Sequence, residues 1–257
     1  MPLEYIKVEV ADYIATVTMN RPPVNAQNSP FRQEITEVFD SFSDRDDVRV
    51  AILTGTGKIF CAGADIKERG SVMKEPGDYW RFNRIAREYA NSIRECAKPV
   101  IAAVNGPALG AGFGLMAACD IYLASDNATF GMPEIDVGLA GGTAMISRIF
   151  GKSRGRRIIF TGERVPAAEM YRLGAIECCV PREQLMAEAM KLARTIADKS
   201  PLAMRMAKQA YNVCDNMPER DGYRYEQNLT VVLSQTDDAK EARAAFAEKR
   251  KPVFKGR

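Results

Sequence analysis

One stretch of the sequence, residues 99–134, constrains the fold more than any other. It opens with the apolar run Val100 to Val104, which is rich in β-branched residues and too short for a comfortable helix. Such a run predicts a strand that is buried on both faces and lies inside a sheet. Asn105-Gly106-Pro107 then turns the chain. Glycines follow at every second position before an apolar pattern resumes: Gly110, Gly112 and Gly114. The stretch therefore predicts a strand, a glycine-rich bend and the start of a helix.

The glycine-rich bend has two interpretations. Glycine lets the backbone approach a ligand closely, and the N–H groups of a first helical turn carry partial positive charge where an oxyanion can sit. Glycines between a strand and a helix also serve close packing or a tight turn alone. The spacing is neither G-x-G-x-x-G nor G-x-x-x-x-G-K-[ST], so the usual nucleotide-phosphate loops are not indicated. This stretch alone leaves both interpretations open.

A second strand also leads into a bend that contains glycine. The apolar run Arg49 to Thr54 is followed by Gly55-Thr56-Gly57 and then by K-I-F-C-A-G-A-D-I-K, from Lys58 to Lys67. Two such bends can each direct one backbone N–H at a single oxygen atom, which is the geometry of an oxyanion hole.

The residue types present exclude several classes of site. The 257-residue chain contains no histidine, which excludes Ser-His-Asp and Cys-His activation, histidine bases and imidazole metal ligands. Acid–base chemistry must therefore use Asp, Glu, Lys, Tyr or Cys. The six cysteines show no C-x-x-C spacing, so neither a zinc site nor a disulfide framework is predicted.

Charge and hydropathy limit the partners. The formal charge of +3 is too weak to predict nucleic-acid binding; it suits a small polyanionic ligand and equally an ordinary solvated surface. No apolar run approaches the roughly 18 to 20 residues of a membrane span. The first residues lack the layout of a signal peptide. We therefore expect no membrane partner and a cytoplasmic location.

The order of predicted elements indicates an α/β protein with a helical tail. Strands and helices are mixed in residues 1–181, where Ser29-Pro30 predicts a helix cap and residues 78–96 predict a helix. From residue 182 onward only helices are predicted, at about 183–199, 201–215, 219–235 and 237–250. We therefore divide the chain into a core, 1–181, and a C-terminal helical region, 182–257.

Several segments, taken in order, resemble one known family. They are K-I-F-C-A-G-A-D-I-K, A-A-V-N-G-P-A-L-G-A-G, A-A-C-D, F-G-M-P-E, the G-G-T helix start, T-G-E-R-V-P-A-A-E and A-F-A-E-K-R-K-P-V-F-K-G. Almost from end to end, the sequence resembles the enoyl-CoA hydratase/isomerase, or crotonase, family. The resemblance implies a crotonase-like spiral of ββα units. It also implies a C-terminal all-helical trimerisation region, and hence a homotrimer or homohexamer.

The resemblance also implies the site residues. By the family's pattern, the N–H groups of Ala64 and Ala111 form an oxyanion hole for the thioester carbonyl of an acyl-CoA. Coenzyme A is implied as the carrier of the substrate, and no metal or prosthetic group is expected. The residues expected along coenzyme A are Lys58, Ala62, Asp65, Ile66, Lys67 and Lys249. Lys249 is expected to come from a neighbouring subunit. A lysine at a helix start is also typical of a solvated surface, and that alternative stays open.

The acidic residues depart from the family's hydratases, which use two glutamates. The sequence keeps the second as Glu134 and has Gly114 in the place of the first. The segment before Gly141 is also shorter than in the hydratases, so the aspartate that some family isomerases carry there is missing. Asp136 is a spare carboxylate close by. If the segment is extended, Asp136 shares a face with Glu134. A surface or turn position is the more ordinary interpretation of Asp136.

Three functions are therefore in competition. The first is a shift of an enoyl-CoA double bond by a single carboxylate. The second is hydration, with Asp136 or another residue replacing the missing acid/base. The third is a catalytically idle coenzyme A-binding or assembly protein. Retention of Glu134 and of both bends favours an enzyme, although fold resemblance alone does not establish activity.

Overall fold

The computed structural model describes residues 3–72 and 74–257, and a six-stranded sheet lies at its centre. The strands of the described residues are β1 (Ile6–Ala11), β2 (Ile14–Met19), β3 (Val50–Gly55), β4 (Val100–Val104), β5 (Ala108–Leu109), β6 (Ile121–Ser125), β7 (Thr129–Gly131), β8 (Val165–Pro166) and β9 (Cys178–Val180). The large sheet has the order β1-β2-β3-β4-β6-β9. β1 and β2 pair antiparallel, and every later pair in this sheet is parallel. A smaller sheet has the order β5-β7-β8.

The helices of the described residues cover the sheet and form the tail. They are α1 (Ser29–Ser43), α2 (Ile66–Val72), α3 (Asp78–Glu95), α4 (Ala111–Ala117), α5 (Thr143–Ile149), α6 (Lys152–Thr161), α7 (Ala167–Arg172), α8 (Arg182–Ala197), α9 (Pro201–Cys214), α10 (Glu219–Ser234) and α11 (Asp237–Ala247). A 3₁₀ helix spans Pro133–Val137. None of the helices described is both long and apolar enough to cross a membrane.

The central strands are buried on both faces, as their apolar sequences predict. All five residues of β4 are buried, and so are the first five of β3. Alternate side chains point to opposite faces of a strand. Thus Ala51 and Leu53 join the core beneath α1 and α3, whereas Val50 and Ile52 pack against α8 on the other face. Because β3 and β4 are parallel, the bends that follow them lie at the same edge of the sheet.

Helix α1 buries the apolar face that the helical spacing of its sequence predicts, and its cap differs from the predicted one. The predicted face is buried and consists of Phe31, Ile35, Val38, Phe39 and Phe42. The cap, however, is Asn28 and not Ser29, because the Asn28 side chain accepts a hydrogen bond from Phe31 N. Asparagine and serine are about equally good caps, so residue type alone did not decide between these neighbours.

The helical tail begins as predicted and is anchored to the sheet. In α9 the buried Lys208 donates to the carbonyl oxygens of Ile93 (2.9 Å) and Lys98 (3.0 Å), and it pairs with Asp120 (2.8 Å). Helix α8 packs directly on the sheet through Leu185 and a row of alanines. Because α8 packs on the sheet of the predicted core, the division of the chain between residues 181 and 182 stays a prediction.

Candidate active site

The two glycine-containing bends lie against each other. Cys61 N donates to Pro107 O (3.2 Å), and Leu109 N donates to Cys61 O (3.0 Å), so that Cys61 and Ala108 form a parallel β-bridge. A Cβ atom added to Gly106 would lie 2.0 Å from Lys58 O, and one added to Gly112 would lie 2.2 Å from Cys61 O. A side chain at either position would force the bends apart. These two glycines therefore serve close packing.

The carbonyl partners of the two bends set the directions of the predicted N–H donors. Gly63 O accepts a hydrogen bond from Gln27 N (2.8 Å), and Gly110 O accepts one from Gly114 N (3.0 Å). In a trans peptide the N–H points opposite to the C=O, so the N–H groups of Ala64 and Ala111 point away from these partners. Within residues 3–72 and 74–257, neither N–H donates to an acceptor.

The two donors belong to adjoining segments. Gly63 has a φ of +99°, and a Cβ added to it would lie 2.8 Å from Leu109 O and 3.4 Å from Ala111 N. The bend that carries Ala64 thus runs directly beside the N-terminal end of α4, where Ala111 lies. Two neighbouring, unpaired N–H groups can stabilise the oxyanion of a thioester during reaction.

Glu134 lies over the start of α4. It belongs to the 3₁₀ helix, and its Oε1 atom is 2.6 Å from the position that a Cβ on Gly110 would take. Its Oε2 atom is buried and has no hydrogen-bond partner in the part of the chain that the structure describes. Burial raises the pKa of the Glu134 carboxyl above its ordinary value of 4.5. A carboxyl group whose pKa is raised by burial is suited to accept and return a proton.

Gly114 lies one helical turn after Gly110, and its free face is occupied by a thioether. A Cβ added to Gly114 would lie 2.9 Å from the Sδ atom of Met145 in α5. Met145 is half-buried and packs against the main hydrophobic core. The start of α4 is thus faced by a carboxylate at one turn and by an uncharged sulfur at the next. The G-G-T start predicts the helix that carries Met145, but no local pattern indicates that Met145 lies against Gly114.

The structure does not place Asp136 beside Glu134. The segment is a 3₁₀ helix and not an extended strand, so residues two apart point in different directions. Both carboxylate oxygens of Asp136 lie 3.0 Å from the position of a Cβ on Gly162, the residue that caps α6. The shared face that an extended segment would create is therefore absent, and Asp136 faces a different turn.

A cleft of about 830 Å³ lies outside the Ala64 bend. Most of the residues predicted to bind coenzyme A line it: Ala62, Asp65, Ile66 and Lys67, together with Ala64 itself. Tyr5, Arg21 and the segment 22–24 also line it. Ile66 is 76% exposed in this cleft, which leaves apolar surface free for a ligand. The cleft thus contains both Ala64, a predicted oxyanion-hole donor, and most of the residues predicted to bind coenzyme A.

Asp65 has a structural partner in this cleft. Its carboxylate pairs with Arg21 (2.7 Å) and accepts hydrogen bonds from Lys67 N (3.0 Å) and Glu68 N (3.4 Å), so it caps α2. The hydrogen bond from Arg21 lowers the pKa of the Asp65 carboxyl. Asp65 therefore shapes the cleft wall through its contacts with Arg21 and α2.

The two remaining predicted lysines lie outside the cleft. Lys58 is exposed in the first bend, and its carbonyl oxygen faces Gly106. Lys249 is exposed just beyond the C-terminal end of α11. Neither lysine lines the cleft of its own chain. Among the residues described, no group of three or more Cys, Asp or Glu side chains is arranged to hold a metal ion.

Comparisons with known proteins show which sequences and structures this chain is similar to. The model of the enoyl-CoA hydratase/isomerase family matches residues 9–257. A short-chain-enoyl-CoA hydratase of Clostridium acetobutylicum is 36% identical to this chain, and the alignment covers 98% of this chain and 97% of that protein. A carnitinyl-CoA dehydratase of Escherichia coli is 37% identical, with 95% of each chain covered. The crystal structure of an enoyl-CoA hydratase from Bacillus anthracis superposes with a TM-score of 0.94 at 32% identity, covering 99% of this chain and all of that one.

The close approach at Gly63 predicts a specific loss of stability. Gly63→Ala places a side chain at a positive φ and also against Leu109 O. Gly57→Ala places one at a positive φ of +72° only, since no atom of the described residues lies within 4 Å of the added Cβ. We expect Gly57→Ala to lower the free energy of unfolding by about 1 to 2 kcal/mol. Gly63→Ala should cost roughly 1 to 3 kcal/mol more because of the overlap. Denaturant unfolding measures both, and equal losses would contradict the tight packing of the bends.

Proposed function

The chain belongs to the enoyl-CoA hydratase/isomerase family, and we propose that within this family it shifts the double bond of an enoyl-CoA between the β,γ and α,β positions. It is an enzyme of a family that acts on coenzyme A thioesters. One observation carries the proposal of a double-bond shift. Glu134 faces the start of α4, but one turn later the space over Gly114 is filled by the Met145 thioether.

The residues of the site suit a thioester enolate. With coenzyme A in the cleft beside Ala64, the thioester carbonyl accepts hydrogen bonds from the N–H groups of Ala64 and Ala111. Those bonds strengthen as negative charge develops on the oxygen, so they favour the enolate over the substrate. Losing one such donor in other enzymes costs on the order of 3 to 4 kcal/mol of transition-state stabilisation.

A single carboxylate can complete this reaction. Glu134 takes a proton from the α-carbon of a β,γ-enoyl thioester, and the electrons of the C–H bond form the dienolate. The same carboxyl group then returns the proton to the γ-carbon, which leaves the α,β double bond. No atom is gained or lost, and Glu134 ends in its starting state. Its raised pKa favours both halves of this cycle, because the group must accept and release a proton.

Hydration is the second candidate, and the names of the relatives support it. The Clostridium acetobutylicum relative is a hydratase, and the Escherichia coli relative is a dehydratase. Hydration needs one group to deprotonate water and another to protonate the α-carbon. Here neither Gly114 nor Asp136 supplies that second group, since Met145 covers Gly114 and Asp136 faces Gly162. Hydration would therefore need a group from another part of the chain.

A direct comparison of the two reactions tests the proposal. The purified enzyme is incubated with a β,γ-enoyl-CoA and with crotonyl-CoA, and the products are resolved by mass spectrometry. We expect the double-bond shift to exceed hydration by about 10² or more, the usual contribution of one acid–base group. Efficient hydration of crotonyl-CoA by the unmodified enzyme would place the hydratase first.

A double variant extends this comparison. Gly114→Glu alone would bring the new side chain against Met145, so it is combined with Met145→Ala to make room. We expect the pair to gain hydration activity. Met145→Ala alone is the matched control, because it opens the same space without adding a carboxylate. A gain of equal size in the control would mean that space, and not the carboxylate, limits hydration.

Glu134→Gln should separate activity from stability. The substitution removes the acid–base group, so we expect turnover to fall by about 10² to 10⁴ while acyl-CoA binding remains. Because folding raises the Glu134 pKa, its stabilising contribution exists only at low pH and is lost as the pH rises through the folded-state pKa. At neutral pH the buried carboxylate therefore weakens folding, and the Tm of the glutamine variant should be equal or higher.

The pH profile of the unmodified enzyme provides the accompanying measurement. The base must be ionised to take a proton, so activity should fall on the acid side with an apparent pKa above 4.5. A glutamine variant that turns over at a near-normal rate would place the base at another residue.

We further propose a homotrimer or homohexamer. Large apolar side chains lie exposed on the last two helices: Tyr223, Val231, Val232 and Phe246. Phe246 is 87% exposed, and burying it against another copy would be favourable. In such an assembly Lys249, close to Phe246, reaches the coenzyme A of a neighbouring subunit. The cytoplasmic location stays a prediction.

The role of Lys249 can be measured in the assembled protein. We expect Lys249→Ala to weaken coenzyme A binding at low salt and to do so less at high salt, because the attraction between separated charges is screened. Lys251→Ala removes the same charge two residues away and should have the smaller effect. Light scattering establishes that both variants keep the assembly. A monomeric unmodified protein at micromolar concentration, or equal effects of the two variants, would contradict the proposal.

A further inference from the structure

One buried side chain connects the two bends. Gln27 is fully buried. Its backbone N donates to Gly63 O (2.8 Å), and its backbone O accepts from Asp65 N (2.9 Å), so it holds Ala64 on both sides. Its side-chain Nε2 donates to Ala111 O (3.0 Å). A single residue therefore contacts the peptide segments of both predicted N–H donors.

A second donor supports the same carbonyl. The hydroxyl of Tyr89 donates to Ala111 O (3.2 Å), and Tyr89 is only 3% exposed. Burial raises the pKa of Tyr89 to about 12, so this hydroxyl keeps its proton at neutral pH. The buried guanidinium of Arg32 lies over the Tyr89 ring at 5.4 Å. The carbonyl of Ala111, in the peptide that directly follows the predicted N–H donor, thus accepts hydrogen bonds from two side chains that stay protonated.

We propose that Gln27 is a positioning residue that sets the separation and orientation of the two oxyanion-hole donors. Tyr89 assists it at Ala111. This inference rests on the proposed function, because it takes the N–H groups of Ala64 and Ala111 as the oxyanion hole. Gln27 itself does not touch the substrate.

The hydrogen bond from Gln27 to Ala111 O is expected to affect catalysis, because an oxyanion hole depends closely on the positions of its donors. Oxyanion-hole donors act when they lie about 2.7 to 3.1 Å from the developing oxyanion, and small displacements of aligned groups can cost about 10²-fold in rate. The two donors here come from bends that are distant in sequence and meet at one β-bridge. The Gln27 side chain provides a second connection, and losing it leaves Ala111 O with the Tyr89 hydroxyl as its remaining side-chain donor.

Acetoacetyl-CoA is a probe that reports on the hole without turnover. Its α-carbon is acidic, and the enolate absorbs in the near ultraviolet, so the pH at which the bound thioester ionises measures enolate stabilisation. Gln27→Met keeps the length of the side chain and removes its N–H donor. Tyr89→Phe removes the other donor and keeps the ring. Ser125→Ala is the control, since it removes another buried side-chain bond to a backbone carbonyl, that of Val104 (3.2 Å) at the end of β4, and not one to Gly63, Ala64 or Ala111.

We expect Gln27→Met to raise the ionisation midpoint of bound acetoacetyl-CoA by about one pH unit, a tenfold loss of enolate stabilisation. The Kd of coenzyme A itself, which has no thioester, should be unchanged. Tyr89→Phe should produce a shift in the same direction, and it keeps the test decisive if Gln27→Met does not fold. Ser125→Ala should leave the midpoint where it is in the unmodified enzyme.

Two results would overturn the inference, and they differ in what else they imply. If the unmodified enzyme ionises the bound thioester and both Gln27→Met and Tyr89→Phe do so at the same pH, positioning by Gln27 is wrong, and the oxyanion hole stands. If the unmodified enzyme gives no enolate of the bound thioester at any pH, the oxyanion hole of the proposed function fails, and the inference fails with it.

Discussion

The contact between the two bends supports the rest of the site. Their β-bridge at Cys61 and Ala108 is possible only because Gly106 and Gly112 present no side chain to the opposing carbonyls. Backbone N–H groups without a partner are common at helix starts. In the described part of the chain, the N–H groups of Ala64 and Ala111 both lack an acceptor, and they belong to adjoining segments. The bridge holds the peptides of Ala64 and Ala111 in adjoining segments, and the Gln27 side chain crosses the same junction.

The sheet brings these bends together. β3 and β4 are neighbouring parallel strands, so the bends after them start at the same edge and within one strand spacing. Burial of both strands by helices on each face fixes their register, because a slip of one residue would exchange their two apolar faces. The rigidity that a preorganised hole requires thus comes from the hydrophobic core beneath it.

Glu134, the proposed acid–base group, lies where its charged form is destabilised by burial. Glu134 has one buried carboxylate oxygen without a partner in the described chain, an arrangement that disfavours its charged form. Such a group is costly to folding and useful in proton transfer, which is the usual compromise at a catalytic position. Among the described residues, the space over Gly114 is taken by the uncharged Met145 thioether, and the proposed reaction therefore uses one carboxylate.

The sequence alone determined the main strands and helices and the family. The tertiary structure decided which side chains from other segments lie against the residues of the candidate site. Apolar runs such as Val100 to Val104 predict buried strands because local hydrophobicity needs no partner to be recognised, and the ordered motifs indicated both bends and Glu134. The position of Asp136 depended on whether its segment is extended or 3₁₀, which its sequence did not distinguish. Met145 and Gln27 lie far along the chain from Gly114 and Ala111, and only the packing of separate segments brought them into contact. Local pattern specifies which face of an element is buried; which side chain from another segment lies against that face is decided by non-local packing.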